Sequence, residues 1–371
     1  MDLDKLANAG VLALQPYQPG KPVEELEREL GINNIIKLAS NENPLGISTK
    51  AANAIANASK ELARYPDANG FYLKNKIAQY CQANAEQITL GNGSNEVLEI
   101  LFRTFVGAGD EVIFDKHAFI VYALLTQSVG ATAVAVDSID WGHDLEGMLA
   151  AITPKTRLIC IANPNNPTGT YLAPELITAF LARVPENVLV VLDEAYFEYV
   201  PSEQRANSVE WLARYPNLAV TRTFSKAFGL AGLRIGYLLS SPKMADLLNR
   251  VREPFNCNLL ALAAAEAVLD DHEYVAQSLM LNQQQMARMV SWCEQQGVAY
   301  IPSWGNFITI EVNNASKIYQ ELLQQGVIVR PVAGYGMPNH LRISIGLAEE
   351  MTRLITALEP LLKTVSKSWS N

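Results

Sequence analysis

The chain has 371 residues, 49% of them hydrophobic and 18% charged, with a formal net charge of −9 at pH 7. That length and apolar content suit a globular protein of two or three structural units. The acidic balance offers no electrostatic footprint for nucleic acid or an anionic membrane surface, so any basic site has to be local.

Cys81, Cys160, Cys257 and Cys293 are scattered without a CxxC pair, and His117, His143, His272 and His340 show no metal-ligand spacing. Neither a disulfide framework nor a metal site is expected. The opening Met1-Asp2-Leu3-Asp4-Lys5 is acidic where a secretory signal is basic, and no apolar run approaches the roughly 20 residues of a membrane span. A reducing, cytoplasmic setting is the expectation.

Residues 1–37 include Pro16-Tyr17-Gln18-Pro19-Gly20-Lys21-Pro22, whose prolines forbid regular helix, so this segment is predicted to be an extended arm with a short helix over 23–30. A polar turn follows at Asn41-Glu42-Asn43-Pro44-Leu45-Gly46, with a helical pattern beyond it, and another turn at Arg64-Tyr65-Pro66-Asp67. Residues 88–102 pass from a strand through Gly91 and Gly93 into an amphipathic helix. Its N-terminus offers unpaired N–H groups, and Ser94 or Asn95 adds side-chain donors for an anion. Glu96 breaks a GxGxxG fingerprint, which disfavours a dinucleotide-dependent oxidoreductase; an ordinary glycine-bounded helix start has the same pattern.

Residues 111–115 form a predicted strand, with Phe119 in the loop after it. The strand over 157–162 has to stop at Asn163-Pro164-Asn165-Asn166-Pro167-Thr168-Gly169, because proline removes ladder donors. The continuous apolar run 188–192 suits a strand buried on both faces and ends in Asp193-Glu194-Ala195-Tyr196. Asp193 is there either a carboxylate needing a partner or the cap of the next helix.

Strands over 218–221 and 235–239 flank a Gly- and Ala-rich turn that carries Lys226 and Arg234. Apolar neighbours strip hydration from the Lys226 ammonium, which lowers its pKa and makes the amine a nucleophile toward a carbonyl. Arg234 offers a planar fork of donors to a phosphate. An ordinary surface loop with two cations has the same local wording. Polar strand ends near residues 90, 162, 192 and 222 suit a doubly wound, mostly parallel α/β sheet whose ligand lies beyond the carboxyl ends of its strands.

A long helical region over 259–296 leads to a second unit with strands over 306–312, 327–330 and 341–346. Leu341, Ile343 and Ile345 share one face of the last strand, and Arg342 and Ser344 the other. On the strand pattern alone, Arg342 and Arg330 read as solvated edge arginines. The predicted division is an N-terminal arm 1–37, a large domain 38–255 and a small C-terminal domain 256–371.

Ser225-Lys226 with the run to Arg234, together with the Asn163-to-Gly169 turn, resembles the cofactor motifs of fold-type I pyridoxal-phosphate aminotransferases. The stretch from Arg222 to Arg234, and the Tyr17 and Asn43 turns, are most similar to the histidinol-phosphate aminotransferase family. That resemblance covers most of the chain, from Tyr17 to Arg342. It implies pyridoxal 5'-phosphate carried by Lys226, with Asp193 on the ring nitrogen, Asn166 and Tyr196 at the ring oxygen and Phe119 stacked on the ring. The match around Phe119 is loose: the family frequently has Tyr there, and Lys116 and His117 stand in place of prolines. Ser94, Asn95, Ser225 and Arg234 would hold the cofactor phosphate, with Tyr65 contributed across a homodimer interface. Tyr17, Asn43, Arg330 and Arg342 would meet the substrate. The implied reaction moves an amino group between L-histidinol phosphate and 2-oxoglutarate. An aromatic amino-acid aminotransferase on the same scaffold, a phosphothreonine-type decarboxylase and a ligand sensor of this fold are the alternatives; a sensor would carry an added DNA-binding domain.

Overall fold

The computed structural model describes residues 1–14 and 20–367. Tyr17 therefore lies outside the described residues. Seven strands form the main sheet: β2 (Ile88–Gly91), β3 (Glu111–Asp115), β4 (Thr132–Val136), β5 (Thr156–Ala162), β6 (Leu189–Asp193), β7 (Leu218–Thr223) and β8 (Gly236–Leu239). They follow the spatial order β2-β8-β7-β6-β5-β3-β4. Strand β8 runs antiparallel to both its neighbours, and the remaining pairs are parallel.

Alternation along the central strands explains why they are apolar throughout. Ile159, Ile161, Val190, Leu192 and Val220 turn to one core with Phe180 and Phe224. Their neighbours Leu158, Cys160, Val191 and Ala219 turn to another, shared with Leu101, Phe102 and Tyr122. A strand covered on both faces has no polar side to present, and the sheet is doubly wound. Its polar groups are displaced to the strand ends, which is where the site forms.

The C-terminal part contributes a second sheet in the order β12-β13-β10-β9, all antiparallel, from β9 (Tyr300–Ile301), β10 (Phe307–Glu311), β12 (Arg330–Pro331) and β13 (His340–Ser344). Ile308, Ile310, Leu341, Ile343 and Ile345 face its core. On the opposite face Thr309 is paired with Arg342 and Phe307 with Ser344. Thr309 donates its hydroxyl to the Pro167 carbonyl at 2.5 Å, so this polar face abuts the turn after β5. A parallel pair, β1 (Ile36–Lys37) with β11 (Val327–Ile328), ties the end of the arm to the C-terminal part.

Two stretches differ from the sequence expectation. The helical region 259–296 is two helices, Leu259–Leu269 and His272–Gln296, broken at Asp270 and Asp271. Aspartate is a poor interior helix residue, and here the break is held from outside: Lys50 donates to the Asp270 carbonyl at 2.7 Å and Lys76 to its carboxylate at 2.5 Å. The first of these helices buries Ala261, Ala264, Ala265 and Val268 in the same core as Leu73 and Ile77, so it lies with the main sheet. The predicted strand 327–330 also changes sheets midway, Val327 and Ile328 pairing with β1 and Arg330 with β13. Among the described residues no helix is long and apolar enough to cross a membrane.

Beneath β7 lies a buried charge cluster. The Arg222 guanidinium is 2.8 Å from Glu194 and stacks 3.6 Å above the Phe197 ring. Glu198, 3% exposed, has no hydrogen-bond partner for Oε1. Burial raises its pKa to about 7 from 4.5, Arg222 opposing the shift. Because the folded value is the higher one, the group's contribution to stability is full below pH 4.5 and is lost as pH rises through about 7. Glu198→Gln removes this dependence. In urea melts, the variant should gain on the order of 2 kcal/mol relative to wild type between about pH 5 and about pH 8; parallel curves for the two proteins would show that Glu198 is not the titrating group.

Candidate active site

The carboxyl ends of β2, β5, β6 and β7 open onto one cavity, closed from the other side by β12 and β13. Lys226 projects into it from the turn after β7. Its Nζ donates to the Ser40 carbonyl at 3.2 Å and lies 5.7 Å from the centre of the Tyr196 ring. Protein surrounds the lysine stem while the amine faces the cavity, and this loss of hydration lowers its pKa to about 8, helped by the Arg342 and Arg234 charges. The neutral amine, as a nucleophile or base requires, is then far more accessible near neutral pH than for an ordinary lysine.

Asp193, 4% exposed, ends β6 at the floor. Tyr122 donates to its Oδ2 at 2.8 Å and Thr221 to its Oδ1 at 2.9 Å. Burial nevertheless dominates and raises the carboxyl pKa; a cation at the cavity floor would relieve that desolvation.

An anion-binding corner forms where the helix Ser94–Phe105 meets the turn 223–234. Ser94, Asn95, Ser225 and Arg234 all line it, and Arg234 donates to Ser225 Oγ at 3.4 Å. Glycine is needed here for space. A Cβ on Gly93, whose φ is 87°, would stand 2.3 Å from Arg234 Nη2, and one on Gly236 would stand 2.6 Å from the Ser94 nitrogen. Helix dipole, hydroxyls and guanidinium thus converge at a place kept open for a phosphate.

Tyr196 and Asn166 line the wall between lysine and carboxylate. Burial pushes the Tyr196 phenol up to about 12, so it stays a neutral donor. Asn166 Oδ1 accepts from Arg342 at 2.5 Å, and Arg342 also donates to the Ala39 carbonyl at 2.7 Å. With Oδ1 engaged, the Asn166 amide nitrogen is the end available to an acceptor. Phe119 stands edge-on to Tyr122, ring centres 6.0 Å apart, and Arg330, Arg342 and Tyr335 line the outer part.

One expected residue is placed elsewhere. Asn43 does not line the cavity: its amide donates to the Ala227 carbonyl at 3.0 Å and to Ser278 at 2.8 Å, bracing the lysine turn from behind. Tyr65 is 82% exposed and stacks on Phe255 at 4.6 Å, away from this chain's own cavity. Of the arm, Gly20 reaches the cavity. Sequence reasoning missed Tyr122, Thr221, Asn41 and Tyr335. The change within β7 from apolar Leu218-Ala219-Val220 to polar Thr221-Arg222-Thr223 was the one local signal.

A desolvated amine, a buried carboxylate and an anion corner at the carboxyl ends of a doubly wound sheet, faced by arginines of the second sheet, define a site for a phosphorylated, carbonyl-bearing ring cofactor. The chain belongs to the aminotransferase class I and II family, whose family model matches residues 33–358. Within it, the chain is 59% identical over 358 residues to histidinol-phosphate aminotransferase 1 of Idiomarina loihiensis, covering 96% of this chain and 98% of that protein. Histidinol-phosphate aminotransferase 2 of Haemophilus influenzae is 56% identical over 364 residues, covering 98% and 100%. The crystal structure of histidinol-phosphate aminotransferase from Sinorhizobium meliloti in complex with pyridoxal-5'-phosphate superposes with a TM-score of 0.89 at 31% identity, covering 97% and 98%. Aspartate aminotransferase from Thermus thermophilus shares the fold at 20% identity with a TM-score of 0.83.

Proposed function

We propose that this chain is a pyridoxal 5'-phosphate-dependent aminotransferase acting on L-histidinol phosphate and 2-oxoglutarate, in histidine biosynthesis. The observation that carries the reading is the desolvated Lys226 amine facing the same cavity as the buried Asp193 carboxylate. The identity of more than half to histidinol-phosphate aminotransferases over nearly the whole chain supports the donor. When bound, pyridoxal 5'-phosphate supplies a carbonyl that condenses with amines and a ring that withdraws electrons from the substrate's α-carbon.

The chain's own residues do the rest. Lys226 would hold the cofactor, and its free amine would then take and return the proton at the substrate's α-carbon. Asp193 would pair with a cationic ring nitrogen, which would compensate the carboxylate's own desolvation. Asn166 and Tyr196 would donate to the ring oxygen, and Phe119 would cover a ring face. Ser94, Asn95, Ser225 and Arg234 bind the cofactor phosphate. Arg342, Arg330 and Tyr17 take the anionic group of either substrate, since a guanidinium pairs with phosphate and carboxylate alike.

Assembly is part of this reading. An exposed Tyr65 stacked on a 40% exposed Phe255 suits a surface meant for a second copy of the chain, with Tyr65 reaching the partner's cofactor phosphate in a homodimer. The division into arm 1–37, large domain 38–255 and small domain 256–371 is proposed with the helix Leu259–Leu269 lying back on the large one. A cytoplasmic location fits a pathway enzyme of this kind.

The test is product analysis with the purified holoenzyme and 2-oxoglutarate. Glutamate should form with L-histidinol phosphate at far lower donor concentration than with phenylalanine. Efficient transfer from phenylalanine alone would move the function to aromatic transamination, and release of carbon dioxide without oxo-acid would make the protein a decarboxylase.

A further inference from the structure

Asn41 is 1% exposed, adopts a left-handed backbone with φ of 55°, and touches the cavity wall behind Tyr196. Its backbone N–H donates to Ser344 Oγ at 2.8 Å. Ser344 Oγ lies 2.8 Å from Asn41 Oδ1, and Asn41 Nδ2 lies 2.9 Å from the Tyr196 hydroxyl. Ser344 Oγ accepts from the Asn41 backbone N–H and donates its one proton to Asn41 Oδ1. The amide nitrogen is thereby turned toward Tyr196, whose oxygen accepts. The phenol's own proton is then left for an acceptor inside the cavity.

Left-handed backbone explains why an asparagine can stand here, since Asn tolerates φ > 0 better than other side chains of its size. The Asn306 amide fixes the turn further, donating to the Asn41 carbonyl at 3.0 Å. Ser344 sits on β13 two residues from Arg342, so the chain also links the strand carrying an anion-binding arginine to the phenol.

We propose that Asn41 is a positioning residue that aims the Tyr196 O–H at the bound cofactor's ring oxygen, with Ser344 setting the orientation of the Asn41 amide. This rests on the pyridoxal-phosphate reading above. Each bond in such a chain polarises the next, so a phenol that accepts from Asn41 donates more strongly. Charged or titratable groups near Tyr196 include Arg342, Asp193, Tyr335, Tyr122, Tyr199 and the Lys226 amine.

The experiment is a pH titration of the visible absorbance band of the protein loaded with pyridoxal 5'-phosphate. It compares wild type, Asn41→Gly, Ser344→Ala, Tyr196→Phe and the double variant Asn41→Gly/Tyr196→Phe. Glycine keeps the left-handed turn and the backbone bond to Ser344 while deleting the amide. A weaker donor at the ring oxygen raises the proton affinity of the chromophore, so Asn41→Gly should move the midpoint upward by roughly half a pH unit to one unit, in the same direction as Tyr196→Phe. Ser344→Ala should move it the same way by less, and Asn41→Gly should add nothing once Tyr196 is Phe. A wild-type midpoint in both Asn41→Gly and Ser344→Ala, or a full Asn41→Gly shift persisting in the Tyr196→Phe background, overturns the proposal. A wild-type protein with no visible band at all overturns the cofactor reading itself and this inference with it.

Discussion

Lys226→Ala should lower turnover by at least about 10³-fold while leaving the fold in place, because one amine is asked both to carry the cofactor and to move the α-proton. The fold should survive. The lysine makes one recorded hydrogen bond, to the Ser40 carbonyl, and its burial disfavours the ammonium. The neighbouring core residues Ala227 and Phe228 are untouched. Steady-state turnover and far-ultraviolet circular dichroism on the same sample check both halves. A folded variant with activity within tenfold of wild type would remove Lys226 from the chemistry.

Asp193→Asn should have the second largest effect, with opposite signs for activity and for stability of the cofactor-free protein. An amide can sit where the carboxylate sits but cannot hold a cationic ring nitrogen. Breaking a buried charge pair costs about 3–5 kcal/mol, equivalent to roughly 10² to 5 × 10³ in rate if it is felt in the transition state. In the cofactor-free protein the balance differs, since the carboxyl is buried at a cost that raises its pKa. Removing that charge relieves desolvation, while Tyr122 and Thr221 keep a side chain of similar shape to bond. The melting temperature of the cofactor-free variant should therefore equal or exceed that of wild type, even as turnover collapses. A large drop in that melting temperature would make Asp193 a structural residue first.

What the sequence made legible was local in the chain. The turns at 163–169 and 223–234 announce themselves because proline and glycine punctuate otherwise apolar strands, and Asn166, Ser225, Lys226 and Arg234, which line the cavity, sit within them. Strand β13 was readable for the same reason: Leu341 and Ile343 go to the core and Arg342 and Ser344 to the opposite face, a period of two. What stayed hidden depends on partners far apart in the chain. Tyr122 and Asp193 are 71 positions apart, Asn41 and Tyr196 155, and Asn41 and Ser344 303. No periodicity or motif connects such pairs; only the strand order and the packing of β13 against the turn after β5 bring them together. The Asn41-to-Asn43 turn shows the difference within three residues, for the resemblance pointed to Asn43, while the backbone twist at Asn41 turns the other amide toward the cavity.

The central claim is that the cofactor is carried on Lys226 and on no other amine. Borohydride reduction of the pyridoxal 5'-phosphate-loaded protein fixes the cofactor to whichever lysine holds it, and tryptic mapping by mass spectrometry locates it. The predicted result is a phosphopyridoxyl mass on a single peptide, residues 223–234, uncut at Lys226. The same mass on another lysine, or a fully cleaved Lys226 in a protein that retains bound cofactor, would contradict the account.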